Sequence, residues 1–453
     1  MTRTLVIGGG VTGLAAAWRL HSAGHDVHLY EASRELGGAM KTREVEGFIF
    51  EDGPNTVRGN SEALTTWLAE LGLNHAVLKS RKSANRRFIW RKRRLHEVPT
   101  GPLSFLTSGL LSFRAKLRVR AEKKKPVPFH ATNETLRQFF DRRIGAEATS
   151  AFVDPFVAGV FAGDVDELGT DAFPMLRDME KTHGSLLKAL RARKSAGGGL
   201  ADLALIGLEG GWQRLPDAVG QALGPRLHLE HRLDELWSRE GRFTAVLNGP
   251  NGKEEVTAES VILALPAFEA GRVLSSVSPE VAEALEAIPH PHVAVVGLGY
   301  SRQAIGHPLD GFGLLVPSDQ PIPGAPSVLG ILFPSSIFDG RAPDGCVSLL
   351  VMLGGSRDKD SANMSDAGIA EQAIAAAGKV LGSSGRPDVV SVVRHRRAIP
   401  QYLPGHSARI TGVREELASH PGLILAGNYL SGVSVEASVA SGFSAASQIL
   451  AES

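Results

Sequence analysis

The sequence predicts an α/β protein in three parts: a parallel βαβ unit assembled from both ends of the chain, a second domain built on a sheet, and a mostly helical region between them. Three observations carry this reading. A glycine-rich turn joins a strand to a helix at the start of the chain, residues 81–200 read largely as helices, and an alternating block from His292 to Val393 reads as strands around one long helix.

Thr4-Leu5-Val6-Ile7 is an apolar run of strand character, and Leu14 to Leu20 reads as a helix. Between them Gly8, Gly10 and Gly13 occupy the three glycine positions of GxGxxG, with Val11 and Thr12 inside the motif. Gly8 permits the tight turn, Gly10 lets backbone approach a pyrophosphate, and Gly13 lets the helix pack close on the strand. The phosphates would then face free N–H groups and the positive helix end. A second strand, Asp26 to Tyr30, ends in Glu31, whose carboxylate is placed to accept from ribose hydroxyls. A glycine-rich turn that binds nothing is the bland alternative. It is disfavoured because strand, turn, helix, second strand and acid fall within one unit of about thirty residues.

The next residues, Ala32 to Gly38, resemble the extension found in flavoprotein oxidases of the amine oxidase type. There Gly37, Gly38 and a basic residue, Arg34, would continue the pyrophosphate cradle, which favours FAD over NAD.

Composition bounds the rest. A chain of 453 residues can hold two or three domains, and 51 glycines exceed the roughly 7% norm, as suits backbone wrapped closely around a cofactor. The net charge of +1 gives no global pull toward nucleic acid. Cys346 is the single cysteine, so no intramolecular disulfide or cysteine-rich metal site is expected. The first strand follows Met1-Thr2-Arg3 directly, with no room for a signal-peptide core. Two uncharged stretches, Val98 to Phe113 and Gln320 to Phe338, contain proline and polar residues and are rejected as membrane spans.

Along the chain, Thr42 to Phe50 has strand character and leads to Gly53-Pro54; the resemblance to those flavoprotein oxidases implies backbone brought near the flavin ring here, while the local sequence alone fits an ordinary turn equally well. From Arg81 to Lys125 there are fifteen Lys and Arg against two Glu, interleaved with Phe88, Trp90, Leu103, Leu106 and Phe113. Such a segment suits a membrane interface first, a solvated face over a core helix second, and a nucleic-acid surface last, since no recognition motif accompanies it. Helices are expected over Thr135 to Arg143, Ala146 to Phe156 and Asp178 to Arg193, followed by a loop at Ser195 to Gly199. A further helix should run to Leu223. Strands follow near Leu227, Leu233, Phe243 and Glu255, and Val261 to Leu265 reads as a buried parallel strand ending beside Ala264 and Pro266.

The second block has strands at His292 to Tyr300, Gly313 to Val316, Ser327 to Phe333, Val347 to Leu353 and Val389 to Val393, with a helix over Ala367 to Leu381. His290 and His292 have no third ligand at usable spacing, so no metal site is read. Leu423 to Leu425 is a last apolar strand leading to Gly427 and Asn428. Val433 and Val435 lead into a small-residue helix, Glu436 to Leu450, whose N-terminus could face the pyrimidine edge of a flavin. Expected boundaries are 1–80, 201–270 and 410–453 for the discontinuous FAD-binding domain, 81–200 for the helical domain and 271–409 for the substrate domain.

Several segments together resemble the oxygen-dependent protoporphyrinogen and coproporphyrinogen oxidases of haem synthesis. They are Arg87-Phe88 before Val98-Pro99-Thr100-Gly101, Gly159 to Gly163, Asp310 to Pro317, Met352-Leu353-Gly354-Gly355, and Ile399-Pro400-Gln401-Tyr402 with Gly405-His406. The resemblance implies a Rossmann-like FAD-binding domain of amine-oxidase and p-hydroxybenzoate-hydroxylase type, a sheet-based substrate domain and a helical membrane-facing domain. It implies hydride loss from a porphyrinogen to FAD, molecular oxygen as acceptor, and peripheral attachment to the cytoplasmic face of the cell membrane. It also places Arg87 on a propionate, the Gly159 carbonyl near pyrrole N–H groups, and Phe312, Leu315 and Met352 along the macrocycle. Leu233 and Ala264 complete the expected cofactor contacts. No side-chain base is assigned.

Protoporphyrinogen IX is the expected substrate. Coproporphyrinogen III would need further cations, for which Arg86 and Arg91 stand ready. An amine oxidase lacks its aromatic cage in a chain with four tyrosines, and a non-catalytic flavin or porphyrin carrier would show no turnover. A homodimer is left open. Two departures stand out: relatives commonly carry Asp-Cys where this chain has Ala437-Ser438, and tryptophan where it has His395.

Overall fold

The computed structural model describes residues 2–127, 133–195 and 205–452. Five strands form a parallel sheet in the spatial order Leu227–His228, Asp26–Tyr30, Arg3–Ile7, Ser260–Leu263 and Leu423–Leu425. Apolar runs such as Leu5-Val6-Ile7 and Val261-Ile262-Leu263 are fully buried because both sheet faces are covered. One face packs on the first helix, Val11–Ser22, and on the last, Val435–Glu452. These two helices touch so closely that a Cβ on Gly442 would lie 2.2 Å from the Thr12 carbonyl oxygen. The other face carries an antiparallel sheet of Arg232–Arg239, Arg242–Gly249 and Gly252–Ala258, with helices Ala267–Leu274, Pro279–Glu286 and His406–Leu417.

A seven-stranded sheet forms the second layer system. Its order is Val389–His395, Val293–Ser301, Cys346–Gly354, Val328–Leu332, Gly313–Leu315, Phe88–Arg91 and Arg94–Glu97. Helix Asp366–Leu381 seals one face through Ile369, Ala373 and Ala377 against Val296, Leu298 and Val351. On the opposite face, Phe48 and Phe50 of the hairpin Thr42–Val45 and Phe48–Glu51 lie on Gly299 and Gly297, where any Cβ would come within 2.7 Å of the rings.

The structure corrects three readings of the helical region. Residues 88–97, expected within it, are a β-hairpin whose first strand pairs parallel with Gly313–Leu315, so the basic stretch begins as sheet edge. The single helix expected over 146–156 is a short turn, Ala146–Ala148, a widened turn over 149–153, and the helix Asp154–Phe161. Likewise the expected helix from Asp178 to Arg193 is two, Pro174–His183 and Leu186–Ser195, separated at Gly184, which adopts φ 64°. The loop expected at 195–199 lies, after Ser195, outside the described residues, as does the proposed boundary at 200/201.

Buried charge holds this region together. Arg143 is fully enclosed and pairs with the carboxylate of Glu122, which also accepts from the Leu186 amide at 2.9 Å. Burial alone would raise the Glu122 pKa, but the Ser185 hydroxyl, the Leu186 and Leu187 amides and Arg143 together lower it. Outside this core, Leu103, Leu106, Phe113 and Leu117 on helices Pro102–Thr107 and Phe113–Arg120 are more than half exposed. No helix among the described residues is long and apolar enough to cross a membrane.

Candidate functional site

The glycine turn shows why each position is glycine. Gly8 has φ 108°, and a Cβ there would stand 2.5 Å from the Ala264 carbonyl oxygen. At Gly13 a Cβ would be 1.9 Å from the Gly8 carbonyl oxygen, so helix and strand touch through backbone. Gly10 differs: a Cβ would meet nothing within 4 Å, leaving open space at the N-terminus of the helix that Val11 and Thr12 begin. Open space before free amides at a helix start fits a pyrophosphate.

Glu31 sits at the end of its strand as expected, and its carboxylate accepts from the Gly9 amide at 2.6 Å and from the Ser33 amide and hydroxyl at 2.8 and 2.7 Å. Gly37 donates its amide to the Gly9 carbonyl at 2.8 Å, and a Cβ on Gly38 would be 3.2 Å from the Gly10 Cα. The glycine pair thus lies directly against the first turn. Arg34 stands apart from this cradle: its side chain is 85% exposed and pairs with Glu230. Ala32 lies between Glu31 and Ser33 on the same connection.

Gly53 is pressed against the Ala39 carbonyl oxygen, which a Cβ would approach to 2.3 Å, bringing Gly53-Pro54 beside the same crossing. The loop is anchored from both sides. Buried Glu51 pairs with buried Arg341 at 3.0 Å and accepts from Thr42 Oγ1 at 2.6 Å; burial raises its pKa against the pull of Arg341. His395 Nε2 lies 2.7 Å from the Asp52 carbonyl oxygen. Asn55 Oδ1 is buried and has no hydrogen-bond partner among the described residues, an acceptor aimed at nothing in the chain itself. Nothing in the sequence signalled the Glu51–Arg341 pair, because its partners lie far apart in the chain.

The residues expected along the substrate are adjacent in space. Ile89, Leu315, Gly330, Met352, Val295 and Val393 pair in register across six neighbouring strands, so their side chains share a face. Helix Asp154–Phe161 crosses that face with Gly159 against Leu315, where a Cβ would fall 2.3 Å from Leu315 Cδ2. The helix is pinned by Asp154, whose oxygens accept from Arg357 Nη1 at 3.1 Å and from the Ser318 amide at 2.7 Å. Arg87 is exposed, its guanidinium 5.3 Å from the Phe312 ring centroid, with no carboxylate partner among the described residues. Its neighbours are occupied: Arg86 pairs with Glu97 and Asp310, and buried Arg91 with Asp319. A cation over an aromatic ring at the edge of an apolar row suits a flat ligand with a carboxylate.

The C-terminal segment meets both halves. Gly427 donates its amide to Ser441 Oγ at 3.0 Å, and the Asn428 carbonyl accepts from the Tyr402 hydroxyl at 2.6 Å. Tyr402 stacks on His406 at 3.9 Å, and His406 Nε2 lies 2.8 Å from the Tyr429 carbonyl oxygen. Burial raises the Tyr402 pKa and lowers that of His406, keeping both neutral. Gln401 donates to the Phe161 carbonyl at 2.9 Å, so Gly159 to Gly163 and Ile399 to Tyr402 meet as well. Val433 packs with Tyr402 and Phe161, while Val435 begins the last helix. Ser434, not a family Asp-Cys, supplies that helix with a side-chain acceptor, its Oγ taking the Ala437 amide at 3.2 Å. Leu233 lies elsewhere along the dinucleotide unit, buried with Leu5, Ile7 and Tyr30 beneath the Glu31 strand.

Comparison with known proteins agrees with this geometry. The family model described as flavin containing amine oxidoreductase matches residues 11–450. A protein named protoporphyrinogen oxidase from Macaca fascicularis is 35% identical over 491 residues, covering 99% of this chain and 99% of that one. Coproporphyrinogen III oxidase of Bacillus subtilis (strain 168) is 27% identical, covering 98% and 97%. A crystal structure of an Exiguobacterium sp. 255-15 protein, provisionally named protoporphyrinogen oxidase, superposes with a TM-score of 0.85 at 26% identity over 100% of this chain and 99% of that one. With the glycine turn, the acid at the second strand and the match over nearly its whole length, this chain belongs to the flavin-containing amine oxidoreductase family.

Proposed function

We propose that this protein is an FAD-dependent oxidase of protoporphyrinogen IX. The observation that carries the substrate is Arg87, the cation left unpaired over Phe312 at the lip of the row Leu315, Met352 and Val295. Protoporphyrinogen needs an apolar, flat slot and a cation for its propionates at one edge. Coproporphyrinogen III has two more propionates, and the arginines that would receive them, Arg86 and Arg91, already have carboxylate partners.

The residues present suit FAD. Gly8, Gly10, Gly13, Gly37 and Gly38 give backbone access to a pyrophosphate and Glu31 stands at the ribose position. Gly53-Pro54, Gly427, Asn428, Val433 and Val435 supply backbone along the ring. When bound, FAD accepts a hydride from carbon and passes electrons to dioxygen. The chain contributes orientation: Arg87 fixes one edge of the substrate, and Gly159, Leu315 and Met352 hold its face against the sheet.

We also infer peripheral membrane contact through Leu103, Leu106, Phe113 and Leu117, whose exposed apolar surface lies among basic residues. Porphyrin fluorescence appearing in air tests the activity with each porphyrinogen in turn. Faster appearance from coproporphyrinogen would transfer the assignment to that substrate.

A further inference from the structure

The proton half of the reaction has so far no residue. Oxidising a porphyrinogen fully takes three two-electron turns, which remove three hydrides from bridge carbons together with three protons, two from pyrrole nitrogens and one from the remaining bridge carbon. The hydride, the proton and one dioxygen together make one hydrogen peroxide, so each two-electron turn balances only if the proton has somewhere to wait.

This inference rests on the porphyrinogen reading and concerns His395. Its Nε2 lies 2.7 Å from the Asp52 carbonyl oxygen. A carbonyl can only accept, so Nε2 carries the hydrogen and Nδ1 is left as a lone pair. No group among the described residues bonds Nδ1.

The position is right for contact with substrate. His395 pairs with Val293, and Val293 with Gly354, in the row next to Val393, Val295 and Met352. Two residues along each strand bring the side chain back to the same face, roughly 7 Å away. His395 therefore shares the sheet face of Val393, Val295 and Met352, on the edge strand at the opposite end of the row from Leu315.

Other charged groups around it are spoken for. Asp52 is held by Arg43 at 2.9 Å, Arg394 pairs with Asp366, and the Asp358 carboxylate accepts from the Asp360 and Ser361 amides. Beside it stands His292, with Nδ1 3.3 Å from where a Gly354 Cβ would be, and both its ring nitrogens buried without partners. Burial first, then Arg394 and His395, lower the His292 pKa and keep that ring neutral. The carboxylates of Asp52, Asp366 and Asp358 thus already have partners.

We propose that His395 Nδ1 accepts the proton released with each hydride, from a pyrrole nitrogen in two of the three turns and from the remaining bridge carbon in the other, and that the Asp52 carbonyl fixes the tautomer that leaves this nitrogen free. His395 then returns the proton as hydrogen peroxide forms. It is a catalytic residue through contact with substrate, and Asp52 is its positioning group.

His395→Gln separates the two roles, because an amide still donates to the Asp52 carbonyl but offers no base. His395→Phe removes both. Turnover of protoporphyrinogen IX in air is compared for the wild type and both variants at one pH. His395→Gln should lose at least about a hundredfold in kcat, the low end for general-base catalysis, while KM and bound FAD stay unchanged. Ring 15N NMR of the holoenzyme without substrate should show the Nε2–H tautomer, its signal assigned by its loss in His395→Gln. An Nδ1–H tautomer, or a Gln variant that keeps the wild-type rate while only Phe is impaired, would reduce His395 to packing and overturn the proposal. Absence of wild-type turnover on either porphyrinogen would instead sink the substrate reading, and this proposal with it.

Discussion

Gly10 and Gly13 are three residues apart and do opposite things, which makes them the sharpest test of the cofactor cradle. Gly13 touches backbone within its own protein, so Gly13→Ala must push the first helix off its strand and lower stability by about 1–3 kcal/mol, read as a fall in Tm. A Cβ on Gly10 would meet nothing, so Gly10→Val should leave the apoprotein Tm unchanged and abolish flavin retention. A Gly10→Val variant that purifies fully yellow would contradict the placement of the pyrophosphate. At the other end of the site, Arg87→Ala removes one charge-assisted contact worth about 1.5–3 kcal/mol. KM for protoporphyrinogen should rise on the order of tenfold to a hundredfold with FAD content intact, and an unchanged KM would remove Arg87 from the substrate. The glycines were legible one by one because each has a motif and a spacing. Glu51, Arg341, His395 and Asp52 were not legible as partners, since their contacts join positions hundreds of residues apart.

Elements were readable where periodicity was strong. The first helix, the helix Asp366–Leu381 and the buried strands of both sheets fall close to their expected bounds. The hairpin of residues 88–97 was masked by its arginines: with polar and aromatic residues mixed at a sheet edge, its pattern looked like the basic stretch that follows. Two predictions belong to the helical elements. Arg143→Ala leaves Glu122 buried and unpaired, and should cost about 3–5 kcal/mol in chemical denaturation of that region. Because the Glu122 pKa is lowered in the folded protein, its contribution is complete above the ordinary glutamate range near about 4.3 and is lost as pH falls through the native value. Acid unfolding of Glu122→Gln should therefore be less steep in that window than that of the wild type. For the exposed apolar helices, Leu103→Asp with Phe113→Asp should abolish co-sedimentation with vesicles containing anionic lipid and leave turnover of dissolved substrate intact. Undiminished sedimentation would place the contact elsewhere.

For the whole molecule, what matters is that its two ends are built into one sheet. The first strand and Leu423–Leu425 flank Ser260–Leu263, and the first and last helices are in backbone contact. This closure brings the glycine turn after Ile7 and the turn at Gly427 after Leu425 to the same end of the parallel sheet, with Gly37 bonded to Gly9 and Gly53 against Ala39 beside them. Its outline was legible because the sequence repeats the logic of strand, turn and helix at both termini. The packing of sheet on hairpin, through Phe48 and Phe50 on Gly299 and Gly297, was not, since nothing local marks those glycines as receivers of aromatic rings. The most direct measurement of the central claim follows porphyrin fluorescence in air from purified, FAD-loaded protein given protoporphyrinogen IX or coproporphyrinogen III at equal concentration. The account predicts prompt fluorescence with oxygen consumption from protoporphyrinogen IX, and a lower kcat/KM for coproporphyrinogen III. Fluorescence from neither, with flavin fully bound, would contradict it.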